Sequence, residues 1–414
     1  MIWSMVRFLL PVLSPRWLER RRIESARRVD PVVSPPAKPS GRLLVDLTTI
    51  ARHDARSGIQ RVVRSTVTQM RSRSRGADIQ AVRYERGAFR HTAWPAAEVT
   101  PDVIMNPRPG DIFLGLDLSF DAVRRNAKQF LRYKRSGTRF WFVIYDLLPL
   151  QSPQYFSAKV AVRFRWWLVA TARLAEGYIC ISPHVADELR TVLAQRFAMR
   201  DEVAIEVIPM GFDSLSAGKP PVQEADLATV ISAKEVVLAV GTLEPRKGYG
   251  LLIDAFELLW ERGSDATLVI VGRSGWKTEA LRRRILNHPD FGRRLHWLPT
   301  LDDAGLAILY ECASALVAAS YGEGFGLPVL EAVARSCPVL ARDIPAFRVH
   351  ARHGLRYFPA DAGPGQLADA IAETLHDSTA LRTSASPAPL PQWRETADTI
   401  LGLLGHDLVT AKRE

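Results

Sequence analysis

The chain has 414 residues, a hydrophobic content of 47% and a formal net charge of +11. This length suits two domains with a core each, and the apolar content excludes an intrinsically disordered chain. The basic charge favours phosphorylated substrates, anionic lipid or nucleic acid as partners. Because the sequence has neither a zinc-finger spacing nor a basic-region zipper, we predict that nucleic acid is not a partner, and a nucleic-acid binder stays open as an alternative on charge alone.

The first 40 residues read as a separate basic and apolar leader. Residues 2–13 are mostly apolar, an arginine-rich run follows over 16–28, and a proline-rich linker occupies 32–40. The apolar stretch is too short to span a bilayer, which takes about 20 residues, and it lacks a signal-peptide cleavage site. Two alternatives stay open: an interfacial helix resting on anionic lipid, or a disordered leader or mis-assigned start.

Short apolar runs then alternate with helical patterns, which is typical of βαβ units and a parallel sheet. The strands predicted in the first half are Leu43–Leu47, Phe140–Tyr145, Tyr178–Ile181 and Ile205–Ile208. Ser182 and Pro183 follow the third of these and predict a helix start. The aromatic and basic run over 155–174 favours a buried helix with a basic outer face over a membrane-docking segment.

The second half repeats this alternation. Its predicted strands are Val236–Val240, Leu268–Val271, Leu295–Leu298, Ala315–Ala319 and Val339–Ala341. Glycine and prolines between 213 and 233 indicate a domain boundary, so we predict α/β domains over 41–215 and 216–385. A linker and a helical pattern over Trp393–Leu404 fill the remaining segment, 386–414.

The cysteines and histidines give no sign of a metal centre. Cys180, Cys312 and Cys337 are odd in number, widely spaced and in apolar surroundings, which indicates a reducing compartment without disulfides or a zinc site. His350 and His353 are three residues apart, and we expect an exposed basic turn there.

Two adjacent cations, Arg246 and Lys247, follow the end of a predicted strand. Ligands of open α/β sheets bind outside the carboxyl ends of the strands, and two cations can offset the charge of a diphosphate. A solvated basic loop is the plainer alternative.

The segment Tyr321-Gly-Glu-Gly-Phe-Gly-Leu-Pro-Val-Leu-Glu331 sets two carboxylates on either side of a glycine-rich turn. Pro328 suits the first turn of a helix, whose N-terminus attracts an anion. Carboxylates beside an anion site suit sugar and ribose hydroxyls, which donate strong hydrogen bonds to them. Glu331 could also serve only as a helix-start acid.

These segments together resemble one family. The carboxylate segment resembles the E-x7-E motif of the retaining glycosyltransferases of family 4, and Val240-Gly-Thr-Leu-Glu-Pro-Arg-Lys-Gly-Tyr249 resembles that family's donor-domain signature. Leu268-Val-Ile-Val-Gly-Arg273 and Cys337-Pro-Val-Leu-Ala341 stand where its strands would be. The resemblance implies a GT-B fold, with two Rossmann-like domains facing a central cleft and a C-terminal helix crossing back to the first domain.

The resemblance also implies roles for individual residues. Glu323 would hold hydroxyls of the transferred sugar, Glu331 would bind the ribose, and Arg246 with Lys247 would stabilise the leaving diphosphate without a metal. The donor-binding residues implied are Gly58, Gly241, Arg246, Lys247, Arg273, Glu323, Gly324, Phe325, Gly326, Leu327 and Glu331. Arg273 is a base-pocket candidate that could equally lie at the surface.

Two implied residues lie in the first half. Gly58, in Ser57-Gly-Ile-Gln-Arg61, resembles the glycine-rich loop that approaches the donor phosphates, although Ser57 replaces one of the usual glycines and an ordinary helix start is the alternative. Asp146 is a catalytic candidate that could bind an acceptor hydroxyl, act as a base or only cap a turn. Tyr145 stands where many relatives have histidine, so no histidine role carries over.

The resemblance implies a hexosyltransferase that moves mannose or a similar sugar to a growing, lipid-linked polysaccharide or lipopolysaccharide. The chain resembles bacterial mannosyl- and rhamnosyltransferases of surface-polysaccharide synthesis. The first donor expected is therefore GDP-mannose, with no metal or other cofactor. We expect a cytoplasmic location with peripheral contact to anionic membrane. The alternatives are a retaining glycan phosphorylase, which would need pyridoxal phosphate, and a scaffold that binds nucleotide-sugar without turnover.

Overall fold

The computed structural model describes residues 16–27, 41–54, 57–73, 79–95, 102–212, 229–384 and 389–405. The chain divides into two compact units, one of Met1–Gly211 with Pro391–Glu414 and one of Phe212–Leu390. The apolar stretch 2–13, the proline-rich linker 32–40 and most of the predicted boundary segment 213–233 lie outside the described residues.

The first unit contains a seven-stranded sheet in the order β3-β2-β1-β4-β5-β6-β7. Its strands are β1 (Leu43–Asp46), β2 (Ile79–Glu85), β3 (Ala88–His91), β4 (Ile112–Gly115), β5 (Arg139–Ile144), β6 (Gly177–Cys180) and β7 (Ala204–Val207). Strand β3 pairs antiparallel with β2, and the other neighbours are parallel. The central strands are buried along their whole length, as expected when helices cover both faces of a parallel sheet.

Helices connect these strands. They are α1 (Arg16–Arg27), α2 (Thr48–Arg52), α3 (Gly58–Arg73), α4 (Phe120–Arg125), α5 (Ala127–Arg135), α6 (Leu148–Gln151), α7 (Ala158–Leu174) and α8 (Pro183–Phe197), with a 3-10 turn at Pro153–Tyr155. The expected helix start is confirmed at α8, where the Ser182 side chain accepts a hydrogen bond from the Val185 N–H. Helix α7 buries Phe164 and Trp167, which supports the buried-helix interpretation of 155–174.

The arginine-rich run folds onto the first unit through α1. Glu19 is fully buried and accepts hydrogen bonds from Arg165 of α7 at 2.6 Å and from Arg196 of α8 at 3.0 Å. Arg27 donates to the carbonyls of Ala172 and Ala175 at the end of α7, where the helix dipole attracts a cation. For residues 16–27, the disordered-leader alternative is therefore wrong.

The second unit contains a six-stranded, all-parallel sheet in the order β10-β9-β8-β11-β12-β13. Its strands are β8 (Val236–Val240), β9 (Thr267–Val271), β10 (Leu295–Leu298), β11 (Ala315–Ala318), β12 (Val339–Arg342) and β13 (Arg356–Phe358). Its helices are α9 (Tyr249–Glu261), α10 (Glu279–Leu286), α11 (Asp303–Cys312), α12 (Leu327–Val333), α13 (Pro345–Arg348), α14 (Pro364–His376) and α15 (Ser378–Ser384). Apolar clusters cover both faces of this sheet.

Helix α16 (Trp393–Leu404) has the bounds of the predicted C-terminal helical pattern. It packs within the first unit, where Trp393 is buried and the Thr396 hydroxyl donates to the Pro209 carbonyl at 2.7 Å. None of the helices among the described residues is long and apolar enough to cross a membrane.

The predicted strands are confirmed to within one residue at each end, but the prediction omits four strands. The sequence did not indicate β2, β3, β4 or β13. The expected exposed turn at His350 is also wrong, because that side chain is buried.

Candidate active site

The loop that carries the two cations, Arg246 and Lys247, follows the end of β8. Pro245–Lys247 forms a 3-10 turn, and Gly248 ends it with φ +73° before α9 begins. A Cβ atom on Gly248 would lie 2.3 Å from the carbonyl oxygen of Ala319, so only glycine lets the loop pack this closely against the end of β11. This packing sets the cations beside the carboxyl ends of two neighbouring strands.

Arg246 and Lys247 converge on one carboxylate, that of Glu323. Arg246 Nη1 lies 2.7 Å from Glu323 Oε2, and Lys247 Nζ lies 2.5 Å from Glu323 Oε1. The Ser320 hydroxyl donates to Glu323 Oε1 at 2.7 Å, and Arg246 Nε donates to Glu244 Oε2 at 2.8 Å. We call the two cations and two carboxylates the ion cluster; its members are Arg246, Lys247, Glu244 and Glu323.

Burial and charge act in opposite directions on the two acids. Burial acts to raise the pKa of Glu323, but Arg246 and Lys247 outweigh it and hold the pKa at about 2. Burial raises the pKa of Glu244 above its ordinary value, although the same two cations act against it. The carboxylate that both cations contact is therefore firmly ionised.

The glycine-rich turn leads into α12 as the sequence predicts. Pro328 lies in the first turn of that helix, and Gly326 precedes it with φ +89°. A Cβ atom on Gly326 would lie 2.8 Å from Phe347 Cε1, so the turn requires glycine for both conformation and space. Gly324 is buried, while Phe325 and Leu327 are half-buried.

Glu331, the second acid of the motif, lies on α12 and is 5% exposed. Its Oε2 accepts a 2.9 Å hydrogen bond from the hydroxyl of Tyr310, a fully buried residue of α11. This contact fixes the carboxylate from a neighbouring helix. The implied ribose contact of Glu331 remains a prediction.

The side chain of His350 contacts the glycine-rich turn at Phe325. Its Nε2 lies 2.7 Å from the Phe325 carbonyl oxygen, and its ring meets the Phe325 ring edge-on at 4.7 Å between centroids. Burial lowers the pKa of His350 to about 4, so the imidazole is neutral near neutral pH. A neutral ring that donates from Nε2 holds the turn without adding charge to the site.

Two further glycines bring β8 and β9 close together at the same edge. Gly241 and Gly272 have φ of +144° and +146°, and a Cβ atom on Gly272 would lie 2.2 Å from the Gly241 carbonyl oxygen. The Tyr249 hydroxyl donates to that carbonyl at 2.6 Å. Arg273 is exposed just beyond β9.

These groups surround one pocket at the carboxyl ends of β8 and β11. Its polar lining comes from Lys247, Tyr249, Ser320 and Glu323, and Phe347 contributes to its apolar wall. The structure thus brings together the cations, Glu323 and the start of α12 within a single unit. Glu331 is held on the same helix.

Two predicted residues lie in the other unit. Gly58 is the first residue of α3, and Ser57 and Gln60 form reciprocal hydrogen bonds there. Asp146 follows β5, and its Oδ1 accepts a 3.0 Å hydrogen bond from the Leu148 N–H. The capping role of Asp146 is therefore present, and its acceptor role remains a prediction.

Sequence reasoning missed Ser320, Tyr310 and His350. Ser320 stands one residue before the motif, so a hydroxyl beside two acids was a usable signal. Tyr310 and His350 contact residues 21 and 25 positions away along the chain, and no local spacing indicates such contacts.

The sequence was compared with a family profile and with known proteins, and both comparisons found similar glycosyltransferases. The profile of the family "Glycosyl transferases group 1" matches residues 228–388. The chain is 33% identical over 376 residues to the serotype-specific mannosyltransferase WbdA of Escherichia coli, an alignment that covers 87% of this chain and 44% of that protein. It is 34% identical over 193 residues to a phosphatidyl-myo-inositol mannosyltransferase of Mycobacterium leprae, which covers 45% and 48% of the two chains. The chain thus spans about half the length of these relatives.

Solved structures share the fold. A sucrose-phosphate synthase from Thermosynechococcus elongatus superposes with a TM-score of 0.58 at 19% identity, covering 88% of this chain and 96% of that one. Anabaena HepE, in complex with UDP and glucose, gives a TM-score of 0.58 at 16% identity with the same coverage. At these identities the likeness establishes the fold alone, and it confirms the α/β GT-B class that the sequence predicts.

Proposed function

Because residues 228–388 form a glycosyl transferases group 1 domain, we propose that the chain is a retaining hexosyltransferase that uses a nucleotide-sugar. The observation that carries this proposal is the ion cluster, in which Arg246 and Lys247 meet Glu323 at the carboxyl ends of β8 and β11. Fixed cations beside sugar-binding carboxylates suit a ligand with a diphosphate and hydroxyl groups.

In the proposed reaction, Arg246 and Lys247 hold the diphosphate of the donor. The bond from the sugar's anomeric carbon to the phosphate oxygen breaks, and an acceptor hydroxyl forms the new bond on the same face. The acceptor proton passes to the departing phosphate oxygen. Negative charge grows on the diphosphate as it leaves, and the two cations stabilise that growth more than they stabilise the ground state.

Glu323 and Glu331 divide the recognition of the donor. We assign the hydroxyls of the transferred sugar to Glu323 and the ribose of the nucleotide to Glu331, with Arg273 near the base. The donor comes close to the backbone at Gly241 and at the turn formed by Gly324, Phe325, Gly326 and Leu327. In the first unit, Gly58 approaches the donor phosphates and Asp146 binds the acceptor hydroxyl.

Several of the similar proteins are named as mannosyltransferases. The similar mannosyltransferases include WbdA of Escherichia coli and the O-antigen chain mannosyltransferase RfbU of Salmonella typhimurium. We therefore propose GDP-mannose as donor and a growing, lipid-linked polysaccharide as acceptor, without a metal. Three free cysteines support a cytoplasmic location.

We also propose that α1 touches anionic membrane through its outer face. Trp17 is 58% exposed, and Arg16 and Arg21 are exposed beside it. Tryptophan and arginine suit the interface of an anionic bilayer. Sedimentation with phosphatidylglycerol vesicles should carry the protein down, and the Arg16→Glu/Arg21→Glu variant should stay in solution; equal sedimentation of both would contradict this contact.

The donor site is tested by a thermal-shift panel of GDP, UDP, ADP and dTDP with their common sugar conjugates. A ligand that binds the folded state raises the melting temperature. We expect one nucleotide to stabilise the wild type but not an Arg246→Ala/Lys247→Ala variant. The matched control is Arg282→Ala/Arg283→Ala, which removes two adjacent exposed cations of α10 in the same unit. A response that is absent from every protein, or equal in all three, would contradict the proposal.

A further inference from the structure

The cations assigned to the diphosphate already hold a carboxylate in this structure. Both oxygens of Glu323 are engaged, Oε2 by Arg246 at 2.7 Å and Oε1 by Lys247 at 2.5 Å. The three side chains are only 16%, 13% and 10% exposed, so water screens these contacts weakly. The position where a diphosphate would meet the cations is therefore beside a fixed negative charge.

The charges of the ion cluster cancel. Arg246 and Lys247 carry two positive charges, and Glu244 and Glu323 carry two negative charges. A neutral cluster offers a diphosphate far less attraction than a free pair of cations, and Glu323 repels the incoming phosphate at short range. A diphosphate is therefore attracted more strongly when one of the carboxylates gives up its contacts with the cations.

Glu323 is the carboxylate whose neighbours restrict the backbone less. It stands between Gly322 and Gly324 on the glycine-rich turn, whereas Glu244 is followed directly by Pro245, whose ring restricts the backbone. The sugar of an intact donor also supplies Glu323 with new partners, since sugar hydroxyls donate to a carboxylate. Sugar hydroxyls can therefore replace contacts that Glu323 makes with the cations.

We infer that Glu323 is the resident counter-ion of Arg246 and Lys247, and that a nucleoside diphosphate must displace it from these cations. This inference rests on the proposed function. It gives Glu323 a second action besides sugar recognition. After transfer the sugar is gone, so the carboxylate returns to the cations and favours release of the nucleoside diphosphate.

The inference predicts a gain of affinity from a variant in the site itself. Glu323→Gln keeps the shape of the side chain and removes its charge. We expect pyrophosphate, GDP and UDP, whichever bind the wild type, to bind Glu323→Gln about tenfold more tightly by titration calorimetry, while transfer of sugar is lost. Pyrophosphate is the sharpest probe because it has neither base nor sugar. Equal or weaker binding to Glu323→Gln would overturn the inference.

Two more variants complete the test. Glu244→Gln removes the other acid of the ion cluster and should tighten diphosphate binding severalfold. If Glu323→Gln does not fold, Glu244→Gln decides the test. Unchanged or weaker diphosphate binding to it would overturn the inference. Glu311→Gln is the matched control, because it breaks a carboxylate–arginine pair with Arg335 in the same unit. Its affinities should equal those of the wild type.

The outcomes separate the inference from the proposed function. If no diphosphate binds the wild type or any variant, the proposed function fails. If binding is present and is lost in Arg246→Ala/Lys247→Ala, but Glu323→Gln binds no better than wild type, only the inference fails.

Discussion

The hydroxyl of Tyr310 donates a 2.9 Å hydrogen bond to Oε2 of Glu331, and both side chains are buried. This contact links α11 to the helix that carries the second acid of the motif. Because the proposed ribose contact of Glu331 requires a defined orientation of its carboxylate, we regard Tyr310 as a positioning residue for Glu331.

Tyr310→Phe should raise the KM for the nucleotide-sugar severalfold and leave kcat close to the wild-type value. The lost hydrogen bond to a charged group costs about 1.5–3 kcal/mol, and we expect part of that cost in donor binding. Steady-state kinetics measures the split between KM and kcat. Tyr178→Phe is the control, since it removes a buried hydroxyl that contacts Thr171 in the other unit; an equal change of KM in both variants would argue against a positioning role.

Gly326→Ala should destabilise the second unit and weaken donor binding together. A side chain at φ +89° is strained, and its Cβ atom would lie 2.8 Å from the Phe347 ring. Strain of this kind costs about 1–3 kcal/mol. The control is Gly402→Ala in α16, where a Cβ atom meets nothing within 4 Å and up to about 1 kcal/mol of stability is gained. Denaturant unfolding distinguishes them, and a neutral Gly326→Ala would show that the turn is not constrained as described.

Glu19→Ala should destabilise the first unit by about 3–5 kcal/mol, the usual effect of removing one partner from a buried ion pair. The reason is that Arg165 and Arg196 would stay near the protein interior without the carboxylate that both contact. Glu24→Ala, an exposed acid on the same helix, should change stability by less than about 0.5 kcal/mol. Similar unfolding midpoints for the two variants would contradict the packing of α1.

A buried acid predicts how stability depends on pH. Asp46 is fully buried at the end of β1, with Thr48 and Ser119 donating to its carboxylate and Asp117 nearby. Burial, followed by the charge of Asp117, raises the pKa of Asp46 to about 7 from 3.8. The folded state therefore binds the proton more tightly than the unfolded state.

The sign follows from this difference. The contribution of Asp46 to stability is fully present below pH 3.8 and is lost as the pH rises through about 7. Between these values each pH unit costs up to about 1.4 kcal/mol. Asp46→Asn should flatten this part of the curve of unfolding free energy against pH, whereas Asp201→Asn, at an exposed position, should not. Parallel curves for the wild type and Asp46→Asn would contradict the assignment.

The sequence predicted the strands that are continuous apolar runs, such as β8 and β9, because a strand buried on both faces leaves that pattern. It missed β2, whose arginine and glutamate interrupt the pattern, and β4, in which glycine, an unfavourable strand residue, takes one of the four positions. It also missed β3 and β13, which lie at sheet edges and carry polar side chains.

The sequence likewise revealed some features of the site and missed others. Arg246, Lys247 and Glu323 belong to local motifs, so spacing along the chain revealed them. Their contact spans 76 or 77 residues and depends on how β8 and β11 pair. The buried state of His350 depends on its contact with Phe325, and a pattern of two nearby histidines does not contain that information.

The most direct test of the central claim is the turnover of GDP-mannose in the presence of a mannose-containing glycan acceptor. We predict that the wild type and Arg282→Ala/Arg283→Ala release GDP and form a product that keeps the donor's anomeric configuration. Arg246→Ala/Lys247→Ala should lose at least about 100-fold in kcat, since stabilisation of the leaving diphosphate is removed. Turnover of the wild type no faster than that of the Arg246→Ala/Lys247→Ala variant, with GDP-mannose and with the other nucleotide-sugars, would contradict the account.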